Sequence, residues 1–208
     1  MLRVEAINIK KNFGNRKIFS NINFTLDSKN VLGITGKNGS GKSTLVKIIA
    51  GIISATNGEV KYFIDQKHIE QPEIYKYYGF VSPYLQLYEE FSAFENLELI
   101  SKIRNIMIDE NRILSLLERF GLLDRKDDYV REYSSGMKQR LKYAAALYHK
   151  PDLLILDEPR SNLDSDGIRI VYDIIQEHKE KGSIIIATND LEDIQLCNNI
   201  IDLNRIPK

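Results

Sequence analysis

One glycine-rich segment, GKNGSGKS from Gly36 to Ser43, constrains this chain more than any other feature. Its spacing matches G-x-x-x-x-G-K-[ST], and it follows the short apolar run Val31 to Thr35. The residues directly after it, up to Gly51, carry apolar side chains at helical spacing. A strand, a glycine-rich turn and a helix in this order form a phosphate-binding loop. The segment therefore predicts an α/β fold that binds a nucleoside triphosphate, and a turn that binds nothing is the alternative.

The glycines of this loop let the backbone wrap so that successive amide groups point at phosphate oxygens, and the helix that follows adds its positive dipole end. Lys42 is expected to reach the β- and γ-phosphates, and the Ser43 hydroxyl is expected to bind Mg²⁺. The residues predicted to hold the phosphates are Gly36, Lys37, Asn38, Gly39, Ser40, Gly41, Lys42, Ser43 and Thr44. By itself the loop does not distinguish kinases, GTPases and transport ATPases.

Two adjacent acids, Asp157 and Glu158, follow the apolar strand Leu153 to Leu156. In open α/β sheets, ligands bind at the carboxyl ends of the strands. Because neighbouring strand positions face opposite ways, Asp157 can hold Mg²⁺ through its water shell while Glu158 polarises the attacking water as general base. A strand that ends in two solvated acids is the alternative. The pair favours hydrolysis over binding alone.

Composition excludes several kinds of partner. The 29 Lys and Arg residues equal the 29 Asp and Glu residues, so the chain has no net field that would attract nucleic acid, and no nucleic-acid partner is expected. Cys197 is the single cysteine, which excludes an internal disulfide and fits a reducing compartment. The apolar runs are shorter than the ~20 residues of a membrane-spanning helix. We expect a cytoplasmic chain that is soluble by itself. Any attachment to a membrane would have to come through a partner.

The order of apolar patterns predicts the architecture. Val4 to Ile9 and Ile18 to Leu26 alternate like half-buried strands, joined by a turn-rich connection. Phe94 to Gly121 has the spacing of amphipathic helices. The strands Leu153 to Leu156 and Ile184 to Ala187, with a helical stretch between them, have the pattern of a parallel sheet with a crossover helix. These patterns predict an α/β core with an antiparallel N-terminal part and an inserted helical subdomain.

The segment YSSGMKQR from Tyr133 to Arg140 resembles the signature motif of ABC ATPases, written LSGGQ followed by QR. Four residues carry the match: Ser134, Gly136, Gln139 and Arg140. The segment precedes a helix, so it forms another helix terminus that can bind an anion, although Ser-Ser-Gly could also be a plain N-cap. In the family, this terminus faces the γ-phosphate of the opposite subunit. The resemblance therefore implies that Ser134 and Gly136 contact ATP across a dimer.

The resemblance to ABC transporter ATP-binding subunits covers essentially the whole chain. Phe13 occupies the place of the aromatic residue that stacks on adenine, and Asp157 to Asp164 resembles the Walker B motif running into the D-loop. The implied fold is a P-loop NTPase of the ABC ATPase type with a mixed-sheet core, and the implied ligands are ATP and Mg²⁺. We expect a single nucleotide-binding domain over residues 1–208, with its core at about 1–83 and 150–208 and its helical subdomain at about 84–149. No further domain is expected after the last strand.

Two positions depart from the family pattern. An ungapped alignment puts Pro83 where the family has a Gln that coordinates Mg²⁺, and proline has neither a side-chain oxygen nor an amide hydrogen. Gln86 could replace that Gln only if the loop takes another path. Asn189 stands in the place of the switch histidine, and it can donate a hydrogen bond to phosphate but cannot titrate. We predict that ATP is hydrolysed slowly or in dependence on a partner, with Lys42, Glu158 and Asn189 as the catalytic residues.

The implied partners are a second ABC ATPase domain, in a homodimer or heterodimer, and a multi-spanning transmembrane subunit. Eight of the 19 Phe and Tyr residues lie between Tyr75 and Phe94, as expected of a contact surface. The chain would then lie peripherally on the inner face of the cell membrane. Its short length resembles haem-exporter-like and other small exporter ATPases, which favours export. The alternative is a soluble nucleotide-gated regulatory or assembly ATPase with slow hydrolysis, while a nucleotide kinase would not explain the signature motif.

Overall fold

The computed structural model describes residues 1–206, so the last two residues of the predicted core segment 150–208 lie outside the described residues. Nine strands are described: β1 (Leu2–Phe13), β2 (Arg16–Leu26), β3 (Val31–Thr35), β4 (Asn57–Ile64), β5 (Lys67–Ile69), β6 (Tyr78–Val81), β7 (Leu153–Asp157), β8 (Ser183–Ala187) and β9 (Asn199–Asp202). Six α-helices are described: α1 (Lys42–Ile49), α2 (Ala93–Arg104), α3 (Glu110–Arg119), α4 (Ser135–Leu147), α5 (Ser165–Lys179) and α6 (Leu191–Gln195). Short 3₁₀ turns lie at Gln71–Lys76, Leu123–Arg125 and Val130–Glu132.

The N-terminal strands form an antiparallel sheet of four strands in the order β2-β1-β4-β5. Val4 pairs with Leu26 on one side and with Tyr62 on the other, and all three side chains are buried. The connection predicted as turn-rich shrinks to two residues, because β1 and β2 continue pairing as far as Phe13 and Arg16. The hairpin therefore carries Phe13 to the end of a long strand, away from the sheet's core.

The second sheet is parallel, with five strands in the order β6-β7-β8-β3-β9. Strands β7 and β8 are buried at every position, as expected of a sheet covered on both faces. Val81 pairs with Leu156, and Asp157 pairs with Ala187, so the strands end at nearly the same level. The carboxyl ends of β3, β6, β7 and β8 therefore meet at one edge of the sheet. The predicted α/β class, with an antiparallel N-terminal part, is confirmed, and the two kinds of strand pairing lie in separate sheets.

Two apolar cores cover the faces of the parallel sheet. One joins the sheet to helices α2, α3, α4 and α5, and its largest fully buried side chains are Tyr143 and Phe120. The other joins the sheet to α1 and to the antiparallel sheet. Helix α2 begins with a capping box, in which Ser92 and Glu95 each accept a hydrogen bond from the other's backbone amide. Helices α2 to α4 fall inside the segment that the sequence predicts as the helical subdomain.

Candidate functional site

A cavity of about 870 Å³ lies at the edge where the carboxyl ends of the parallel strands meet. Such an edge is the usual ligand-binding position in open α/β sheets. The side chains and backbone that line this cavity belong to Phe13, Arg16, Ile18, Asn38, Gly39, Gly41, Lys42, Ser43, Thr44, Pro83, Tyr84, Glu158, Arg160, Ser161, Thr188, Asp190 and Asp193. Residues from the first hairpin, the glycine-rich loop and the ends of three parallel strands therefore surround one space.

The glycine-rich loop has a backbone that only glycine adopts without strain. Gly36 has φ of 144°, and a Cβ added there would lie 2.6 Å from Ser40 Oγ. Gly41 has φ of 109°, and a Cβ there would lie 2.6 Å from the Ile18 side chain. The buried Ser40 Oγ has no hydrogen-bond partner in the described protein. A tight cradle with an unpaired polar atom fits a polar ligand such as a phosphate group.

Lys42 is the first residue of α1, and its side chain is 6% exposed. Its ammonium group donates to the Gly36 carbonyl over 2.9 Å and lies 3.3 Å from the Glu158 carboxylate. A buried cation needs such partners, because removing its hydration is costly. The loop therefore folds back over the lysine, and the lysine ammonium reaches the acid that follows β7.

Asp157 ends β7 with no exposed surface, and two serine hydroxyls donate to its carboxylate. Ser43 Oγ lies 3.0 Å from one carboxylate oxygen, and Ser82 Oγ lies 3.3 Å from the other. Burial raises the pKa of the Asp157 carboxyl, while the two hydroxyls and the cations of Lys47 and Lys42 act in the opposite direction. A carboxylate beside a hydroxyl is an oxygen donor set that suits Mg²⁺, which binds few protein ligands and keeps several waters. The residues predicted to hold the metal therefore fit it.

No group of three or more His, Cys, Asp and Glu side chains with metal-binding spacing occurs within residues 1–206.

Glu158 follows Asp157 and turns the chain away from the sheet. Its φ of 50° lies in the left-handed region, which is uncommon for a residue other than glycine or asparagine. The backbone amide donates to the Ala187 carbonyl over 2.8 Å, and the half-buried side chain lines the cavity. This turn points Glu158 into the cavity, while Asp157 is buried at the end of β7.

Asn189 lies on the segment after β8 and is exposed. Its amide donates to the Asn38 side-chain carbonyl over 3.1 Å, so it contacts the glycine-rich loop although it does not itself line the cavity. The neighbouring Thr188 hydroxyl donates to buried Asp193 over 2.8 Å, and burial raises the pKa of that carboxyl. Arg160 pairs with Asp190 over 2.6 Å on the same segment. The segment that carries Asn189 is therefore fixed by contacts with Asn38, Asp193 and Arg160.

Phe13 lines the cavity from the end of β1, with its ring exposed and the Lys11 ammonium 4.8 Å from the ring centre. Ser134 and Gly136 lie elsewhere. Ser134 caps α4 by accepting from the Met137 amide, and a Cβ on Gly136 would lie 3.1 Å from the Asn162 carbonyl. Neither residue lines the cavity.

Of the other predicted residues, Gly36, Ser40 and Asp157 are buried and do not line the cavity. Lys37 is exposed, does not line the cavity either, and donates its backbone amide to the Asn204 side chain over 3.1 Å. Gln86 is exposed and lines a separate cavity of about 210 Å³, so it does not replace the missing Gln of the family pattern. The structure adds residues that the sequence did not predict: Arg16, Ile18, Tyr84, Arg160, Thr188, Asp190 and Asp193 in the cavity, and Ser82 behind it. Most of them lie near the end of a strand, close in the chain to residues that were predicted. This position is the signal that could have found them.

The family model described as ABC transporter matches residues 19–161. The chain is 36% identical over 203 residues to the uncharacterized ABC transporter ATP-binding protein YybJ of Bacillus subtilis, which covers 97% of this chain and 92% of YybJ. It is 34% identical over 196 residues to the lantibiotic transport ATP-binding protein SrtF of Streptococcus pyogenes, which covers 94% of this chain and 82% of SrtF. A solved ATP-binding subunit of an ABC transporter superposes with a TM-score of 0.87 at 26% identity, over 99% of this chain and 88% of that one. No helix within residues 1–206 is long and apolar enough to cross a membrane.

Proposed function

We propose that this chain, which belongs to the ABC transporter family as an ATP-binding and ATP-hydrolysing subunit, dimerises around ATP and drives export by a membrane partner. One observation carries the proposal for its site. Lys42, Ser43, Asp157 and Glu158 come from two distant segments and meet at one cavity, linked by contacts of 3.0 Å and 3.3 Å. A phosphate cradle, an oxygen donor set and a carboxylate base are the parts that phosphoryl transfer to water requires.

In the proposed reaction, the cradle amides and the Lys42 ammonium bind the β- and γ-phosphates, and Phe13 stacks on the adenine. Ser43 and Asp157 would hold Mg²⁺, which would neutralise the charge that develops on the phosphate oxygens. Glu158 accepts a proton from the attacking water. Asn189 donates a hydrogen bond near the γ-phosphate and steadies the loop through Asn38.

The dimer is supported by two signature-motif residues that do not line the cavity. Ser134 and Gly136 belong to the signature motif and begin a helix, where backbone amides can bind an anion, yet they lie outside the chain's own cavity. A second ABC ATPase domain would bring its own Ser134 and Gly136 equivalents to this cavity, and would receive this chain's pair in return. Each ATP would then be held between two subunits, and hydrolysis would release them.

Export through a membrane partner is supported by an exposed aromatic surface next to the cavity. Tyr84 is 71% exposed, and Tyr88 and Phe91 are also exposed, with their rings stacked 5.8 Å apart. Exposed aromatic residues of this kind are typical of protein contact surfaces. The similarity to SrtF, which is named for lantibiotic transport, favours export as the direction. The chain would then lie peripherally on the inner face of the membrane, attached to a multi-spanning subunit.

A soluble regulatory ATPase with slow hydrolysis is the second candidate. It is favoured by Pro83, which lines the cavity but offers no side-chain oxygen, and by Asn189, which cannot titrate. Either replacement would slow turnover, and a slow ATPase can serve as a timer.

Purification of the tagged chain from native membranes, followed by transport assays in vesicles, tests the proposal. We expect a multi-spanning protein to co-purify, and we expect Glu158→Gln to lower ATP turnover by roughly a hundredfold or more while ATP still binds. The exposed Glu110→Gln serves as the matched control and should keep full turnover. Recovery of the chain only in soluble complexes, with export unchanged in the Glu158→Gln strain, would support the regulatory candidate instead.

A further inference from the structure

The structure shows a contact between α4 and the end of β6 that the proposed mechanism does not use. Lys142 lies two turns into α4, with only 8% of its side chain exposed. Its ammonium group donates to two successive carbonyls, those of Pro83 over 2.9 Å and Ser82 over 3.3 Å. Both hydrogen-bond partners of this cation are backbone carbonyls, so carbonyl dipoles rather than an acid compensate its burial. Burying a cation without an acid beside it costs free energy. Proteins commonly accept such a cost where the side chain takes part in a functional site.

Ser82 connects this cation to the metal-binding carboxylate. Its side chain is 1% exposed, and its hydroxyl lies 3.3 Å from the Asp157 carboxylate oxygen that Ser43 does not contact. The two carboxylate oxygens are therefore held by different segments, one by α1 and one by the end of β6. A chain of contacts runs from Lys142 through Ser82 to Asp157.

Pro83 explains why this chain needs such a contact. It stands at the position of the family's Gln and has no side-chain oxygen. Its backbone nitrogen carries no hydrogen, so its carbonyl is its only backbone hydrogen-bonding group. That carbonyl is bound by Lys142. The glutamine of this loop, Gln86, lines the separate small cavity. Ser82 thus supplies the hydroxyl that contacts the metal-site acid from the β6 side.

We propose that Ser82 and Lys142 are positioning residues of the metal site: Lys142 fixes the end of β6, and Ser82 orients the Asp157 carboxylate toward a divalent cation. This inference rests on the proposed function, because it assumes that Ser43 and Asp157 hold the metal of a metal-nucleotide complex. Residues that orient metal ligands commonly change metal affinity by ten- to a hundredfold when they are replaced. Because Lys142 acts through Ser82, the two replacements should not add.

The test measures Mn²⁺ binding by electron paramagnetic resonance in the full chain, with Glu158→Gln in every protein to stop hydrolysis and with a non-hydrolysable ATP analogue present. We expect Ser82→Ala and Lys142→Met each to weaken Mn²⁺ binding by roughly tenfold. The double variant should bind no more weakly than Ser82→Ala alone. Lys102→Met, at an exposed position on α2, is the control and should bind Mn²⁺ as the parent does.

Nucleotide affinity measured in EDTA separates a metal effect from a general loss of structure, and so does the melting temperature. We expect both variants to bind the nucleotide without metal as the parent does. If Lys142→Met lowers the melting temperature but leaves Mn²⁺ binding unchanged, or if the two effects add in full, the inference is wrong and the proposed function stands. If the parent itself shows no Mn²⁺ binding with nucleotide, the proposed metal site fails first.

Discussion

At the scale of single residues, Lys42 has partners that a ligand can replace. Its ammonium group donates to the Gly36 carbonyl and lies beside the Glu158 carboxylate. A γ-phosphate in the cradle would offer a stronger, charge-assisted partner and would free Glu158 to bind water. The 3.3 Å contact between the two side chains therefore places the base beside the cation that would bind the γ-phosphate.

Asn189 carries a prediction at the same scale. Its contact with Asn38 joins the segment after β8 to the glycine-rich loop over 3.1 Å. A hydrogen bond of this kind contributes about 1 kcal/mol, so Asn189→Ala should lower ATP turnover by about fivefold. Asn189→His should raise turnover above that of the parent and add a pH dependence near neutrality, because histidine can carry charge to the phosphate. The measurement is the steady-state rate of phosphate release from pH 6 to pH 8.5.

The exposed Asn111 on α3 provides the control, and its replacement by alanine should not change turnover. Equal rates for the parent, Asn189→Ala and Asn189→His would show that this position does not limit hydrolysis.

At the scale of elements, His149 joins the helical part to the parallel sheet. It lies between α4 and β7, and its ring Nε2 donates to the Tyr78 carbonyl at the start of β6 over 2.9 Å. The Arg104 guanidinium at the end of α2 binds the same carbonyl. Burial, together with the charges of Arg104 and Arg112, lowers the pKa of His149 to about 4. The imidazole is therefore neutral in the folded chain at physiological pH.

This lowered pKa predicts how stability depends on pH. Between pH 6.5 and pH 4 the unfolded chain binds a proton at His149 and the folded chain does not, so the free energy of unfolding falls as the pH falls. The full difference from the ordinary pKa corresponds to about 3 kcal/mol, lost by pH 4. We expect His149→Gln to lose less stability than the parent between pH 7 and pH 4.5, measured by urea unfolding. The exposed His68→Gln should follow the parent, and parallel curves for all three proteins would contradict the prediction.

The elements that could be predicted from the sequence are those whose pattern reports burial. Strand β3 was predicted with its observed bounds because all its side chains are apolar or small. Strand β1 was predicted only to Ile9, because Lys10, Lys11 and Asn12 do not alternate, yet they continue the backbone pairing. A register shift after Ala6, where Asn8 has φ of 51°, moves Ile9 into the core. Backbone hydrogen bonds and bulges of this kind leave no hydrophobic signal.

The candidate site divides in the same way. Motif spacing predicted the glycine-rich loop and the two acids after β7, since each set is contiguous in the chain. Ser82 and Asp157 are 75 positions apart, and Lys142 and Ser82 are 60 positions apart. Such pairs depend on the order of strands in the sheet and on the rotation of α4, neither of which periodicity specifies. The departure at Pro83 was visible in the sequence, but the hydroxyl and the ammonium group around it were not.

At the scale of the whole molecule, the parts of the proposed catalytic centre lie on two surfaces of one chain. The cavity carries Lys42 and Glu158, and the start of α4 carries Ser134 outside it. Arg140 on α4 pairs with Asp164 over 2.6 Å, and Asp164 caps α5 by accepting from Gly167. The start of α4 is therefore fixed to the segment that leads away from Glu158. Because its position is fixed, the start of α4 can contact a nucleotide in the cavity of another copy of the chain.

Mixing two inactive variants tests whether this chain completes its own site in a homodimer. Glu158→Gln removes the base, and Ser134→Arg blocks the helix terminus, so each protein alone should show little ATP turnover. In a mixed dimer, one cavity contains both changes and the other contains neither, because the base comes from one subunit and Ser134 from its partner. Random pairing of equal amounts should therefore restore about a quarter of the parent's turnover if the two cavities act independently.

Turnover of the mixture is followed as the ratio of the two proteins is varied, and it should peak at equal amounts. A mixture of Glu158→Gln with a Glu158→Gln, Ser134→Arg double variant has no intact cavity and should stay inactive. No recovery at any ratio, from proteins that still bind ATP, would mean that this chain pairs with a different ATPase domain or works without a partner's signature motif.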